Sequence, residues 1–362
     1  MRWLLILALG LCAGAAAQAR TLETSLGPLG IDRIADGLDE PWGLAFLPDG
    51  GFLVTERDGR LLRFGADGGQ GSPVQGLPEV VARGQGGLLD VMVPRDFQTS
   101  REVWLSFSQA GAGGAGTALG MGRLAEGGTR LEGFRTVFAA RPTPGGRHFG
   151  SRIVEGADGL IYLTIGDRGT GHEGLEAQDP TVPEGKVMAF RRDGSPAVAR
   201  EGWLPGVVSL GHRNPQGAAL DGQGRLWVVE HGAQGGDELN LIRDGANYGW
   251  PVISYGQDYG GGRIGEGSEK PGMEQPAHYW DPSIAPSGLM IHSGRMFPEW
   301  QGDVFTGSLN TSFLSRLDPD RGHAEERIEG PETGRVRDVR EGPDGAIWFL
   351  SVIEGAVFRL SR

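Results

Sequence analysis

The segment Gly211-His212-Arg213-Asn214-Pro215-Gln216-Gly217, followed by Glu230-His231-Gly232 and Asp237-Glu238, carries more polar chemistry than a folded chain buries without a use for it. Arginine binds anions, histidine and carboxylates move protons, and acids among glycines supply the hard oxygens that calcium prefers. Short apolar runs separate these groups, which places them at the ends of strands. Similar groups recur along the chain: Gln85 in Gly84-Gln85-Gly86-Gly87, His148 in Gly146-Arg147-His148-Phe149-Gly150, Asp167 in Gly166-Asp167-Arg168, and Arg335 and Arg337 around Val336.

A repeated hairpin must position them. Pro48-Asp49-Gly50, Ala157-Asp158-Gly159, Asp221-Gly222-Gln223-Gly224 and Pro343-Asp344-Gly345 read as tight turns, since glycine takes positive φ without steric cost. Strands follow at Phe52 to Thr55, Leu160 to Ile165, Leu226 to Val229 and Ile347 to Leu350. Third strands follow at Leu61 to Phe64, Val187 to Phe190, Leu239 to Ile242 and Val357 to Leu360. Weaker copies are Leu88 to Val93 with Val103 to Phe107, and Leu289 to Met296 with Val304 to Leu309 and Phe313 to Leu317. Six such units predict an all-β chain, a six-bladed β-propeller of four-stranded antiparallel blades, with Ile31 to Ile34 closing the last blade. A β-sandwich is the alternative. The Gly-rich stretch from Gly256 to Gln275 reads as a loop insertion.

Strand direction then makes a geometric claim. First-strand starts and second-strand ends lie on the face opposite the Asp-Gly turns. Trp42, Gln85, His148, Arg213, Asn214, Arg335 and Arg337, with Glu56, Asp167 and Glu230 to Gly232, should share one mouth of the central channel. Singly, each has a plainer reading: a backbone-capping histidine, a turn carboxylate paired with Arg168, ordinary salt-bridge arginines, a flexible loop glutamine. Their equivalent positions in different repeats favour a site. Several arginines on one mouth of an acidic protein call for an anionic ligand such as a small polycarboxylate or phosphate. The Gly232 to Glu238 loop invites calcium, without EF-hand spacing.

Composition sets the compartment. Met1 to Ala19, with one positive charge, an apolar run and a small-residue exit, reads as a signal peptide cut after Ala19 or Ala17. Residues 20–362 then form a single domain, periplasmic or secreted. The one cysteine, Cys12, falls in the leader, so the core cannot rest on disulfides. A net charge of −12 argues against nucleic acid, and no run is long enough for membrane insertion.

With these motifs assembled, and with Asn247-Tyr248-Gly249-Trp250-Pro251 and Arg335-Val336-Arg337-Asp338-Val339 beside them, the chain from Pro41 to Arg359 resembles the soluble aldose sugar dehydrogenases and glucose dehydrogenases that depend on pyrroloquinoline quinone (PQQ). The resemblance implies a propeller enzyme that oxidises aldose sugars at the anomeric carbon to lactones and passes electrons to an external acceptor, as a monomer or homodimer. It implies His148 as general base, Asp167 as its orienting carboxylate and Arg213 as a stabiliser of developing charge. It places Gln85, His148, Arg213, Asn214, His231, Arg335 and Arg337 on the cofactor. It assigns one calcium to the carbonyls of Gly232 and Ala233, and another to Glu238 and Tyr248. Three positions depart from the family pattern: Asn310 stands where lysine is found, Ala233 where proline is usual, and Leu350 to Glu354 lacks a Thr-Asp pair. A calcium-dependent lactonase-like hydrolase and a non-catalytic binding propeller are the competing functions.

Overall fold

The computed structural model describes residues 20–170 and 175–362; residues 1–19, expected from the sequence to be a signal peptide, lie outside them. Within them, strands join antiparallel in six sets of four. The first set is Pro41–Phe46, Phe52–Glu56, Arg60–Gly65 and Gly68–Pro73. The second is Leu88–Met92, Glu102–Gly111, Gly114–Leu124 and Leu131–Ala139. The third is Ile153–Glu155, Ile161–Ile165, Lys186–Phe190 and Val207–Leu210. The fourth is Pro215–Leu220, Leu226–Glu230, Asp237–Leu241 and His278–Trp280. The fifth is Pro286–Ile291, Val304–Ser308, Leu314–Asp318 and Ala324–Ile328. The sixth is Val336–Glu341, Ile347–Ser351 and Ala356–Ser361, completed by the N-terminal Gly27–Ala35, in which Ile31 pairs with Leu360. First strands touch their neighbours around a closed ring, the sixth returning to the first. The chain is a six-bladed β-propeller.

The turns form as the residue types require. Asp49, Asp158, Asp221 and Asp344 each accept, through Oδ1, the N–H two residues on, at 2.9–3.1 Å. Apolar side chains fill the wedges between blades: Leu53, Val103 and Phe107 between the first two, Trp300, Phe305, Phe349 and Phe358 between the last two. Near the axis the first strands crowd together. A side chain at Gly217 would come within 2.6 Å of the Gly288 carbonyl, so this approach requires glycine.

One sequence expectation fails in register. The fifth-blade strand expected at Leu289 to Met296 is Pro286–Ile291. Beyond Ile291, the His292 Nδ1 accepts the Gly294 N–H at 2.9 Å, and Gly294 adopts φ 87°, which turns the chain out of the sheet.

Below the mouth the channel is closed by charge. Arg152 Nη1 lies 2.9 Å from Asp90 Oδ1 and 3.1 Å from Asp338 Oδ2, and Arg340 binds the same two carboxylates at 3.2 and 3.1 Å. Arg152 also donates to the backbone carbonyls of Gln216 (2.6 Å) and Arg337 (2.9 Å). Removing one cation from a buried pair strands its carboxylates. Arg152→Ala is therefore expected to destabilise the fold by about 3–5 kcal/mol, measurable by denaturant unfolding.

Candidate active site

The mouth opposite the Asp-Gly turns holds a cavity of about 700 Å³, lined among others by Trp42, Gln85, Gln216, His231, Arg335 and Arg337. His148 is not itself among the lining residues; it stands behind the wall, its backbone N–H donating to the lining Gln85 Oε1 at 2.7 Å. Its φ of 53° is a left-handed conformation disfavoured outside glycine, and Arg335 shares it at 52°. Two functional candidates thus stand on strained backbone.

His148 is buried and its Nδ1–H donates to Asp167 Oδ1 at 2.6 Å. That bond fixes the tautomer and leaves the lone pair on Nε2. Gly166 permits the approach: a side chain there would meet the His148 carbonyl at 2.3 Å. Asp167 Oδ1 also accepts the Gly169 N–H at 2.7 Å, and Oδ2 accepts the Trp250 indole N–H at 2.8 Å. Burial works against the Asp167 charge, but its bond and charge interaction with His148 and the Gly169 N–H hold it below the usual carboxylate range. For His148, burial is the largest influence and lowers its pKa. Asp167 opposes this, while Arg213 and Arg147 reinforce it. An acid partner alone would raise the basicity of His148; desolvation and two cations reverse the sign. The imidazole is neutral at pH 7, with a free lone pair. Arg168 is no surface partner of Asp167. It lies buried, stacked 3.5 Å from the Phe149 ring centroid, with its guanidinium on backbone carbonyls.

The remaining candidates divide into three groups. Arg335 and Arg337 line the cavity; Arg335 binds the Leu309 carbonyl at 3.0 Å, and Arg337 the Gln216 Oε1 at 2.8 Å. Neither has a carboxylate partner among the described residues. Burial and repulsion from Arg335, Arg152 and Arg57 push Arg337 down to about 9. Glu40 and Asp281 are the acids on the wall, and Glu40 is paired with Arg57. A guanidinium held against its own charge and lining a cavity has the chemistry that suits an anion. His231 also lines the cavity, kept neutral by burial and nearby arginines (pKa about 3), with Nε2 donating to the Pro286 carbonyl at 2.9 Å. Asn214 is fully buried beneath it, its Oδ1 accepting the Gly150 N–H at 3.2 Å. Glu56 is buried too, bound to the Asp39 N–H and Arg60.

Arg213 bridges the mouth and a small neighbouring cavity lined by Glu230, Gly232, Glu238 and Tyr248. Its guanidinium binds the Gly232 carbonyl and lies 3.3 Å from the Tyr259 hydroxyl. Asp237 is spent on structure, accepting from Gly232, Ile284 and Ala285 N–H groups and Ser283. Glu238 is different. Burial, then repulsion from Glu230, pushes it up to about 8; its one side-chain donor among the described residues is Asn240 Nδ2 at 3.1 Å, and among them the Asn240 Oδ1 is buried without a partner. The Tyr248 hydroxyl is committed to the Leu241 carbonyl (2.5 Å) and the Arg243 N–H (2.9 Å), leaving its backbone as the available donor. Among the described residues, no three His, Cys, Asp or Glu side chains form a metal cage.

The family described as glucose/sorbosone dehydrogenase matches residues 38–359. Aldose sugar dehydrogenase YliI of Escherichia coli is 40% identical over 334 residues, covering 89% of each chain. The chain belongs to the glucose/sorbosone dehydrogenase family. It is an oxidoreductase acting on the CH–OH groups of sugars. Quinoprotein glucose dehydrogenase B of Acinetobacter calcoaceticus is 29% identical over 401 residues, covering 88% of this chain and 84% of its own. A PQQ-bound aldose sugar dehydrogenase from Streptomyces coelicolor superimposes with a TM-score of 0.76 at 28% identity, covering 92% of this chain and 98% of that one.

As a family member the chain shows features its motifs did not announce. Asn310 does line the cavity, its amide donating to the Ser283 carbonyl at 3.1 Å, so position 310 itself supplies no cation, while Arg335, bound to the adjacent Leu309 carbonyl, is a cation of the same wall. Gln216, Arg57 and Tyr259 are wall residues that the sequence reading passed over. The register of the Gly211 to Gly217 motif could have exposed Gln216. Tyr259, far along an irregular loop, carried no periodic signal.

Proposed function

We propose that this protein oxidises aldose sugars at the anomeric carbon to lactones, with PQQ as cofactor and calcium as a supporting ion, and passes electrons to an external acceptor. The observation that carries the reading is a neutral buried imidazole bonded to the wall of one cavity that two arginines line, neither of them with a carboxylate partner among the described residues. PQQ bears three carboxylates, the kind of anion those arginines fit. Arg335, Arg337, Gln85 and His231 would hold it, with Arg213 and Asn214 behind them. When bound, the quinone supplies a two-electron acceptor.

The chain's own groups do the rest. His148 Nε2 takes the proton of the anomeric hydroxyl, and Asp167 holds the ring and balances the imidazolium that forms. Arg213 stabilises negative charge developing beside it. Glu238 is the strongest calcium candidate, being a carboxylate that burial and the neighbouring Glu230 keep from ionising. The Tyr248 carbonyl is its companion. The Gly232 and Ala233 carbonyls form the second proposed site, though Arg213 holds the Gly232 oxygen here. Export through the 1–19 leader would place the enzyme in the periplasm or outside the cell.

Reconstitution tests this reading. Adding PQQ and calcium to purified protein is expected to give sugar-dependent dye reduction that chelator abolishes. Lactone hydrolysis without quinone, or neither activity nor quinone binding, would overturn it.

A further inference from the structure

Trp250 closes the motif Asn247 to Pro251, and nothing in the proton chemistry above requires an indole there. Its ring is buried among Ala177, Ala233 and Ile264. Its backbone is clamped at both ends: the N–H donates to the Gly211 carbonyl at 2.9 Å, and the carbonyl accepts Gln178 Nε2 at 2.7 Å. Gln178 is held in turn by two amide–amide bonds to Asn247, at 2.7 and 3.0 Å. So anchored, the indole N–H meets Asp167 Oδ2 at 2.8 Å. His148 and Gly169 both bind Oδ1, so Trp250 is the donor that pins the other oxygen.

We propose that Trp250 is a positioning residue for the His148–Asp167 pair. A carboxylate bound on one oxygen can rotate about its Cβ–Cγ bond. Bound on both, it keeps one lone pair aimed at Nδ1 of His148. The indole also spreads the carboxylate's charge, which moderates its pull on the imidazolium. Removing it leaves a more basic carboxylate, so the His148 pKa rises. The other groups facing this imidazole are Arg213, Arg147 and His231; the Arg213 guanidinium lies 5.1 Å from the Trp250 ring centroid, and phenylalanine keeps an aromatic face beneath it. The inference deepens the proposed oxidation by naming what orients its base.

The test is Trp250→Phe, which keeps the aromatic packing and deletes the donor. In protein labelled with ¹⁵N-histidine and free of cofactor, the His148 ring titration is expected to move up by about one unit. In reconstituted protein, kcat is expected to fall about tenfold with sugar KM little changed, and the acid limb of the pH profile to move in the same direction. A His148 midpoint that stays in place or falls overturns the proposal. The ring titration needs no turnover, so failure of the sugar-oxidation reading would leave it intact. If the variant does not fold, the unsubstituted protein decides: one tryptophan indole N–H signal must titrate with the His148 midpoint. If none does, the proposal falls.

Discussion

His148→Ala is expected to lower turnover by roughly two to four orders of magnitude, the usual contribution of a positioned general base. The geometry explains why no neighbour rescues it. Asp167 is fixed by donors on both oxygens, and His231 has its Nε2 committed to the Pro286 carbonyl. The fold should survive, because the imidazole belongs to none of the apolar wedges between blades described above. The pH dependence follows from the lowered pKa of His148. The base works only when neutral. A pKa below that of a free imidazole, about 6.5, keeps it neutral to lower pH. The acid limb of kcat/KM should therefore fall below that value and disappear from the alanine variant's residual rate. Unchanged turnover in His148→Ala would remove the residue from the mechanism.

The second large effect concerns the arginines. Arg335→Ala with Arg337→Ala is expected to weaken PQQ binding by roughly two to four orders of magnitude, since charge-assisted hydrogen bonds contribute about 1.5–3 kcal/mol each. Fluorescence titration of the cofactor measures it. The sign of the accompanying stability change separates ligand recognition from a structural role. Arg337 has no carboxylate partner among the described residues and is pushed down to about 9. Taking it away relieves repulsion, so the unliganded double variant should unfold no more easily than the parent. Arg152, whose charge is answered by Asp90 and Asp338, should behave in the opposite way. Normal cofactor affinity in the double variant would sink the anion-site assignment.

The two halves of the molecule were unequally legible. The Asp-Gly turns announced four blades because the side chain that caps the turn and the glycine that permits it are adjacent residues. The fifth blade has no such turn, and its first strand was misplaced by several residues until the His292–Gly294 contact showed where the chain leaves the sheet. The convergence of Gln85, His231, Arg335 and Arg337 on one cavity followed from strand direction. The proton affinity of His148 did not. An adjacent acid argues for a raised pKa, and only the burial of the ring and the nearness of Arg213 and Arg147 reverse it.

The sequence by itself determined the repeat, the closing N-terminal strand and the face on which the reactive groups gather, because period and turn chemistry act over a few residues. Only the tertiary structure decided which groups find donors or counter-charges and which are buried beside a like group. Asp237 and Glu238 are neighbours in the chain, yet one is satisfied by four donors and the other faces Glu230 across a small cavity. Desolvation and partner choice depend on what other blades bring to the same place, and that is set by closure of the ring.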